Sequence, residues 1–164
     1  MGLADHARLL MDYNAYANRR VLEQALALDD AVLNSDGGAS KGSILGNLQH
    51  VVSAQDVWLR RWQGEPIRLF EPPTRQQIGA AFAASDEALG HFAAALHDDD
   101  WERIVDYADR AGQSHSVPLG VLITHVANHG TLHRGEAGML LAAHGRSPGD
   151  LDFVLYVLSR QSGR

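Results

Sequence analysis

The chain has 164 residues and a mass of 17.8 kDa, with 45% apolar and 21% charged residues. That balance excludes a disordered or collagen-like polymer and suits a single domain over 1–164, burying roughly 70% of its unfolded surface. A formal charge of −6, from 14 basic and 20 acidic residues with no dense Lys/Arg block, argues against a nucleic-acid partner.

Cysteine is absent, which excludes disulfides, thiolate metal ligands and a cysteine nucleophile. No apolar run reaches the ~18–20 residues of a membrane helix. Residues Met1 to His6 lack the basic and apolar regions of a signal peptide, so a cytoplasmic protein with no membrane partner is expected. The chain holds nine histidines.

Leu3, Leu10, Ala17, Val21, Ala25 and Leu28 recur at helical steps and predict a first helix over 3–28. The stretch from Asn34 to Gly42 is a loop by composition. Ser43 is placed to cap a second helix running to about Trp62, stopped by Gly64 and Pro66. After the break at Glu71-Pro72-Pro73, Thr74 can cap a third helix through Ile78, Phe82, Leu89 and Leu96, ended by Asp98-Asp99-Asp100.

Between Trp101 and Val117 apolar and polar residues alternate around Ala111-Gly112, predicting a short β-hairpin. Pro118 opens a fourth long helix over 118–144, closed by Gly145. A short helix through Phe153, Tyr156 and Leu158 ends the chain. The expected fold is all-α: a four-helix bundle with a β-hairpin inserted before the last long helix and a short C-terminal helix.

The fourth helix carries His125, His129 and His133, each four residues from the next. Residues at i and i+4 share a face, so an adjacent pair can meet one ion. His125 and His133 are separated by about 12 Å of helix rise, too far for both to bind it. On a helical wheel Leu119, Leu122, Val126, His129, His133, Ala137, Leu140 and His144 fall within about 60° of one direction, with His125 at the edge. His129 and His133 therefore point inward and His125 covers a flank. His-x-x-x-His alone is a weak motif. Two imidazoles in an apolar stripe need either a metal or hydrogen-bond partners, and periodicity leaves both open.

His50 is the best further ligand. It lies off the most apolar stripe of the second helix (Ile44, Leu48, Val51, Gln55, Trp58, Trp62) and on a stripe of smaller groups, Ser43, Asn47, His50, Ala54 and Val57. That placement permits a pocket-lining histidine without demanding one.

At these residues the sequence resembles the DinB-like metalloproteins of the YfiT-type bundle superfamily. The resemblance is carried by Asp12-Tyr13-Asn14-Ala15-Tyr16-Ala17-Asn18, by Ser43 to His50 with Trp58 eight residues on, by Asn128-His129-Gly130-Thr131-Leu132-His133-Arg134-Gly135, and by Pro148-Gly149-Asp150-Leu151-Asp152-Phe153. It implies a bundle whose metal is held by His50, His129 and His133, and a homodimer. Tyr16 and Glu136 depart from the family's usual Trp and Gln.

Three neutral imidazoles leave a divalent ion its full charge and an open position, as in catalytic sites. Zinc, nickel and iron all suit such donors. The resemblance implies a thiol S-transferase acting on a small-molecule electrophile with a low-molecular-weight thiol cosubstrate. Metal-dependent hydrolysis of a small amide or ester, and a non-catalytic sensor or interaction bundle, are the alternatives. A carboxylate-bridged di-iron site is unsupported, since no Glu-x-x-His occurs.

Tyr13, Asn14 and Asn18 are candidate pocket walls or polar helix contacts. Arg134 is a candidate for steering an anionic substrate, with a solvated arginine the more ordinary expectation. Glu136 is either an acid behind the ligands or, as the wheel favours, surface charge.

Overall fold

A computed structural model describes residues 1–162. Four long helices form the bundle: α1 (Leu3–Leu26), α3 (Ile44–Gln63), α4 (Arg75–Ala94) and α5 (Leu119–Ala143). A five-residue α2 (Asp30–Asn34) follows α1, and α6 (Phe153–Ser162) ends the described chain. Strands β1 (Ile104–Ala108) and β2 (Ser114–Pro118) pair antiparallel, with Val105 opposite Val117. The helical bundle with its hairpin before the last long helix is the architecture expected from the sequence. Among the described residues no helix is long and apolar enough to cross a membrane.

The expected caps are in place. The Ser43 hydroxyl accepts the Gly46 backbone N–H at 3.0 Å, and Gly64 ends α3 with φ 69°. Thr74 starts α4, its N–H donating to Gln77 Oε1 at 3.0 Å.

Three boundaries move. The first helix ends at Leu26, and Asp29 caps the unexpected α2 by accepting the Val32 N–H at 2.9 Å. The third helix ends at Ala94, and Asp98–Glu102 form a 3-10 turn in which Trp101 sits, outside the hairpin. Pro118 closes β2 with an extended ψ of 138° and precedes α5 instead of lying in its first turn.

Around the bundle α5 packs chiefly on α3 and α1, and α4 on α1 and α3. The core is divided in two. One apolar cluster joins Leu10, Met11, Trp62, Leu89, Leu122 and Val126; the other joins Val21, Leu48, Val51, Ile78, Phe82 and Leu141.

Between the two clusters lies a polar layer to which every long helix contributes. The Arg134 guanidinium (α5) donates from Nη1 to Asn14 Oδ1 at 2.7 Å and Asn18 Oδ1 at 2.8 Å (both α1). Both asparagines donate to Gln55 Oε1 (α3), at 3.0 and 2.9 Å. Asn18 and Gln55 then donate to Asp86 Oδ1 (α4), at 2.8 and 3.0 Å. Arg134, Asn14, Asn18 and Gln55 are each 2% exposed or less.

Because these polar atoms have partners, the layer avoids the roughly 1–3 kcal/mol that each unsatisfied buried group costs. Gly130 makes room for it: a Cβ there would lie 2.5 Å from Arg134 Nη1 and 2.9 Å from Asn14 Oδ1.

Candidate metal centre

Three histidines meet beside this layer. His50 comes from the middle of α3, and His129 and His133 from adjacent turns of α5. One ring nitrogen from each lies within 4.8 Å of the others. The Nε2 atoms of His50 and His129 are 3.1 Å apart. Two nitrogens each about 2.1 Å from a common ion lie roughly 3 to 3.5 Å apart at angles between octahedral and tetrahedral, so this pair fits one cation.

His133 shows how its ring is set. Its Nδ1 faces Glu136 Oε2 at 3.0 Å, Asn47 Oδ1 at 3.2 Å and Ser40 Oγ at 3.4 Å. With two oxygens of acceptor type against Nδ1, a proton belongs there, which leaves Nε2 as the nitrogen that would face an ion. A carboxylate behind a ligating imidazole is the usual support of a metal site.

Glu136 is therefore not a free surface charge, as the wheel favoured; it stands one turn beyond His133, on its Nδ1 side. The Ser40 hydroxyl donates to the same carboxylate oxygen at 2.6 Å. These bonds, Ser40 first and His133 after it, hold the Glu136 carboxyl below its ordinary range.

The loop that brings Ser40 and Lys41 here is pinned by Gly37 N–H donating to Gly42 O at 2.9 Å. It sits down on the first turn of α3 where Gly46 leaves space: a Cβ at 46 would lie 2.3 Å from the Lys41 carbonyl oxygen.

Burial, with repulsion from Lys41, His133 and Arg110, lowers the His50 pKa to about 4. Burial, with repulsion from His133 and His50, does the same for His129. Both rings are neutral at pH 7, the state in which imidazole binds metal.

His125 stays on the flank, exposed and edge-on to Trp58 with ring centroids 5.0 Å apart, and does not join the cluster. The partial desolvation of its ring lowers its pKa.

His50 and His129 line a cavity of about 750 Å³ bounded by α3, residues 67–72 and the hairpin tip. Arg134, Asn14 and Asn18 do not reach it. Arg134 is neither solvated nor aimed at a substrate there; it is tied into the polar layer, and the two asparagines serve as helix contacts. Tyr13 lines a different cavity, of about 470 Å³, shared with Leu10, Thr124 and Phe153. Its hydroxyl donates to the Leu151 carbonyl at 2.7 Å.

Sequence reasoning missed Ser40 and Asn47 behind His133, and Gln55 and Asp86 in the layer. A usable signal existed for Gln55, the one polar residue on the most apolar stripe of α3.

The DinB family profile matches residues 3–163. The chain belongs to the DinB family. It is also 23% identical over 169 residues to "Protein DinB" of Bacillus subtilis (strain 168), an alignment covering 94% of this chain and 95% of that one.

Proposed function

We propose that this protein is a metal-dependent transferase that joins a low-molecular-weight thiol to a small electrophile. The observation that carries the reading is the convergence of His50, His129 and His133, the first two of them at the wall of a large open cavity. These three residues would hold a divalent ion, zinc, nickel or iron by donor type. Such an ion supplies Lewis acidity that favours the deprotonated form of a thiol or of water at neutral pH.

The chain's own residues supply the rest. His133 is oriented by Glu136, Ser40 and Asn47, so that donor is held in place before a reactant arrives. The cavity, at about 750 Å³, lies in the upper part of the range for small-molecule sites and has room for two reactants.

With no cysteine in the chain, the sulfur must come from a diffusible thiol. In the transfer a new S–C bond forms at the electrophilic carbon, the thiol proton passes to solvent, and the leaving group departs with its electron pair. The resemblance to thiol-dependent members of the superfamily favours this chemistry over hydrolysis.

The test is product formation from a panel of electrophiles with and without added thiol, using zinc-loaded protein and His129→Ala as control. Thiol-dependent turnover lost in His129→Ala is expected. Equal rates without thiol would replace the transferase with a hydrolase, and no turnover by any substrate would favour a binding role.

A further inference from the structure

The cavity beside the histidines carries an excess of positive charge. Its lining includes Lys41, the only lysine of the chain, together with Arg61, Arg68 and Arg110. Among the described residues none of these four takes part in an ion pair. One acid, Asp109, shares the lining. Its carboxylate is already engaged, with His115 Nε2 at 3.0 Å and the N–H groups of Ala111 and Gln113 donating at 2.9 Å each. A chain with a net charge of −6 thus gathers four of its 14 basic residues around one cavity.

The cations have different tasks. Arg61 is built into the wall: its guanidinium lies 4.6 Å from the ring centroids of both Trp58 and Tyr107, and it donates to the Ala108 carbonyl at 3.0 Å. Lys41, Arg68 and Arg110 are exposed and come from three separate segments, the loop before α3, the loop after it and the hairpin tip. Apolar groups lie beside them. Trp58, Ile67, Leu69 and Phe70 line the same cavity, and Leu69 is 93% exposed at its lip. Apolar surface left open next to unpaired cations fits a ligand that is itself divided into a charged and an apolar part.

We infer that this cavity receives an amphipathic organic anion, its aromatic or alkyl body over Trp58, Ile67, Leu69 and Phe70 and its anionic head met by Lys41, Arg68 and Arg110. The inference rests on the transferase reading only in making this anion one of the two reactants. The anion recognition itself is a property of the cavity and needs neither the ion nor turnover.

The probes are 4-phenylbutyrate and its neutral analogue 4-phenylbutanol, titrated by calorimetry into the full chain, both chelator-treated and zinc-loaded. The acid should bind at least about tenfold more tightly than the alcohol in both forms, the gain of one charge-assisted hydrogen bond or more. That preference should shrink as salt is raised. The double variant Arg68→Gln, Arg110→Gln changes two exposed side chains. It should lose most of the preference for the acid, leave the alcohol's affinity unchanged and keep the wild-type melting temperature.

Equal affinities for acid and alcohol, no saturable binding of the acid, or an undiminished preference in the double variant would each overturn the inference. Because these titrations contain no thiol and include metal-free protein, a failed transfer assay leaves them standing. A failed titration, conversely, leaves the transferase proposal untouched.

Discussion

The Nδ1 atom of His133 lies 3.0 Å from Oε2 of Glu136, one helical turn further along α5. A carboxylate in that position fixes the tautomer and raises the basicity of the opposite nitrogen. Glu136→Ala should therefore weaken zinc binding about 10- to 100-fold while leaving the fold intact. Glu136→Gln, whose amide oxygen can still accept from Nδ1, should lose less. Competition titration against a chromophoric chelator ranks the three proteins, and equal affinities would remove Glu136 from the centre.

Ligand substitution separates the cluster from its flank. Zinc should raise the melting temperature of the wild-type protein, because an ion that binds only the folded state stabilises it by mass action. His50→Ala and His129→Ala should lose affinity by about two orders of magnitude or more, beyond what a supporting residue contributes, and with it the thermal shift. His125→Ala should keep both, since its ring packs on Trp58 outside the cluster. Chelation should return the wild-type protein to the melting temperature of His129→Ala without metal, within the small change that the truncation itself causes.

The buried guanidinium makes a different prediction. Arg134→Met fits a similar volume but leaves the Asn14 and Asn18 carbonyls without their donor. Breaking a buried polar network by removing one member costs about 3 kcal/mol or more. Urea unfolding should show that loss as a lower midpoint with the slope unchanged. A midpoint like that of the wild type would mean that the layer contributes little to stability.

Asp86 gives the layer a pH dependence. Burial raises its carboxyl pKa above the ordinary value, against the opposing hydrogen bonds from Asn18 and Gln55 and the charge of Arg134. A raised folded-state pKa means that the folded protein binds the proton more tightly than the unfolded chain. The associated stability is complete below the unfolded pKa and is lost as pH rises through the folded one. Asp86→Asn, which mimics the protonated group, should match the wild type in acid and exceed it at neutral pH. Urea midpoints measured across that interval check the sign; a constant difference between the two proteins would contradict it.

Much of the architecture was legible because long helices repeat their apolar positions many times. The period in α1, α3, α4 and α5 and the alternation around Ala111-Gly112 sufficed to place the bundle and its hairpin. α2 was not legible, since five residues hold little more than one turn. The inward direction of His129 and His133 followed from the wheel, whereas His50 was left open by periodicity because α3 is buried on two sides.

Glu136 and Arg134 were misplaced for the same reason. A wheel assigns charged residues to solvent and has no means of showing that a partner waits on another helix. The hint lay elsewhere: Asn14 and Asn18 continue the inward line of Leu10 and Val21, and Gln55 interrupts the greasiest line of α3. Polar residues recurring on inward lines of two helices required partners in the core: the asparagines and Gln55 bond each other, Arg134 completes the α1 side and Asp86 the α3 side. The cationic lining of the cavity was beyond reach, because Lys41, Arg68 and Arg110 lie far apart in sequence and converge only through three loops.

The histidines of α5 form a ladder with identical rungs, and a ladder of that kind is ambiguous. Sliding α5 by one turn, about 5.4 Å, would offer His125 and His129 to His50 in place of His129 and His133. Arg134 breaks the degeneracy. The same slide would pull its guanidinium away from Asn14 and Asn18 and leave their carbonyls without a donor. The arginine that touches neither cavity-lining histidine thereby decides which rung of the ladder faces α3.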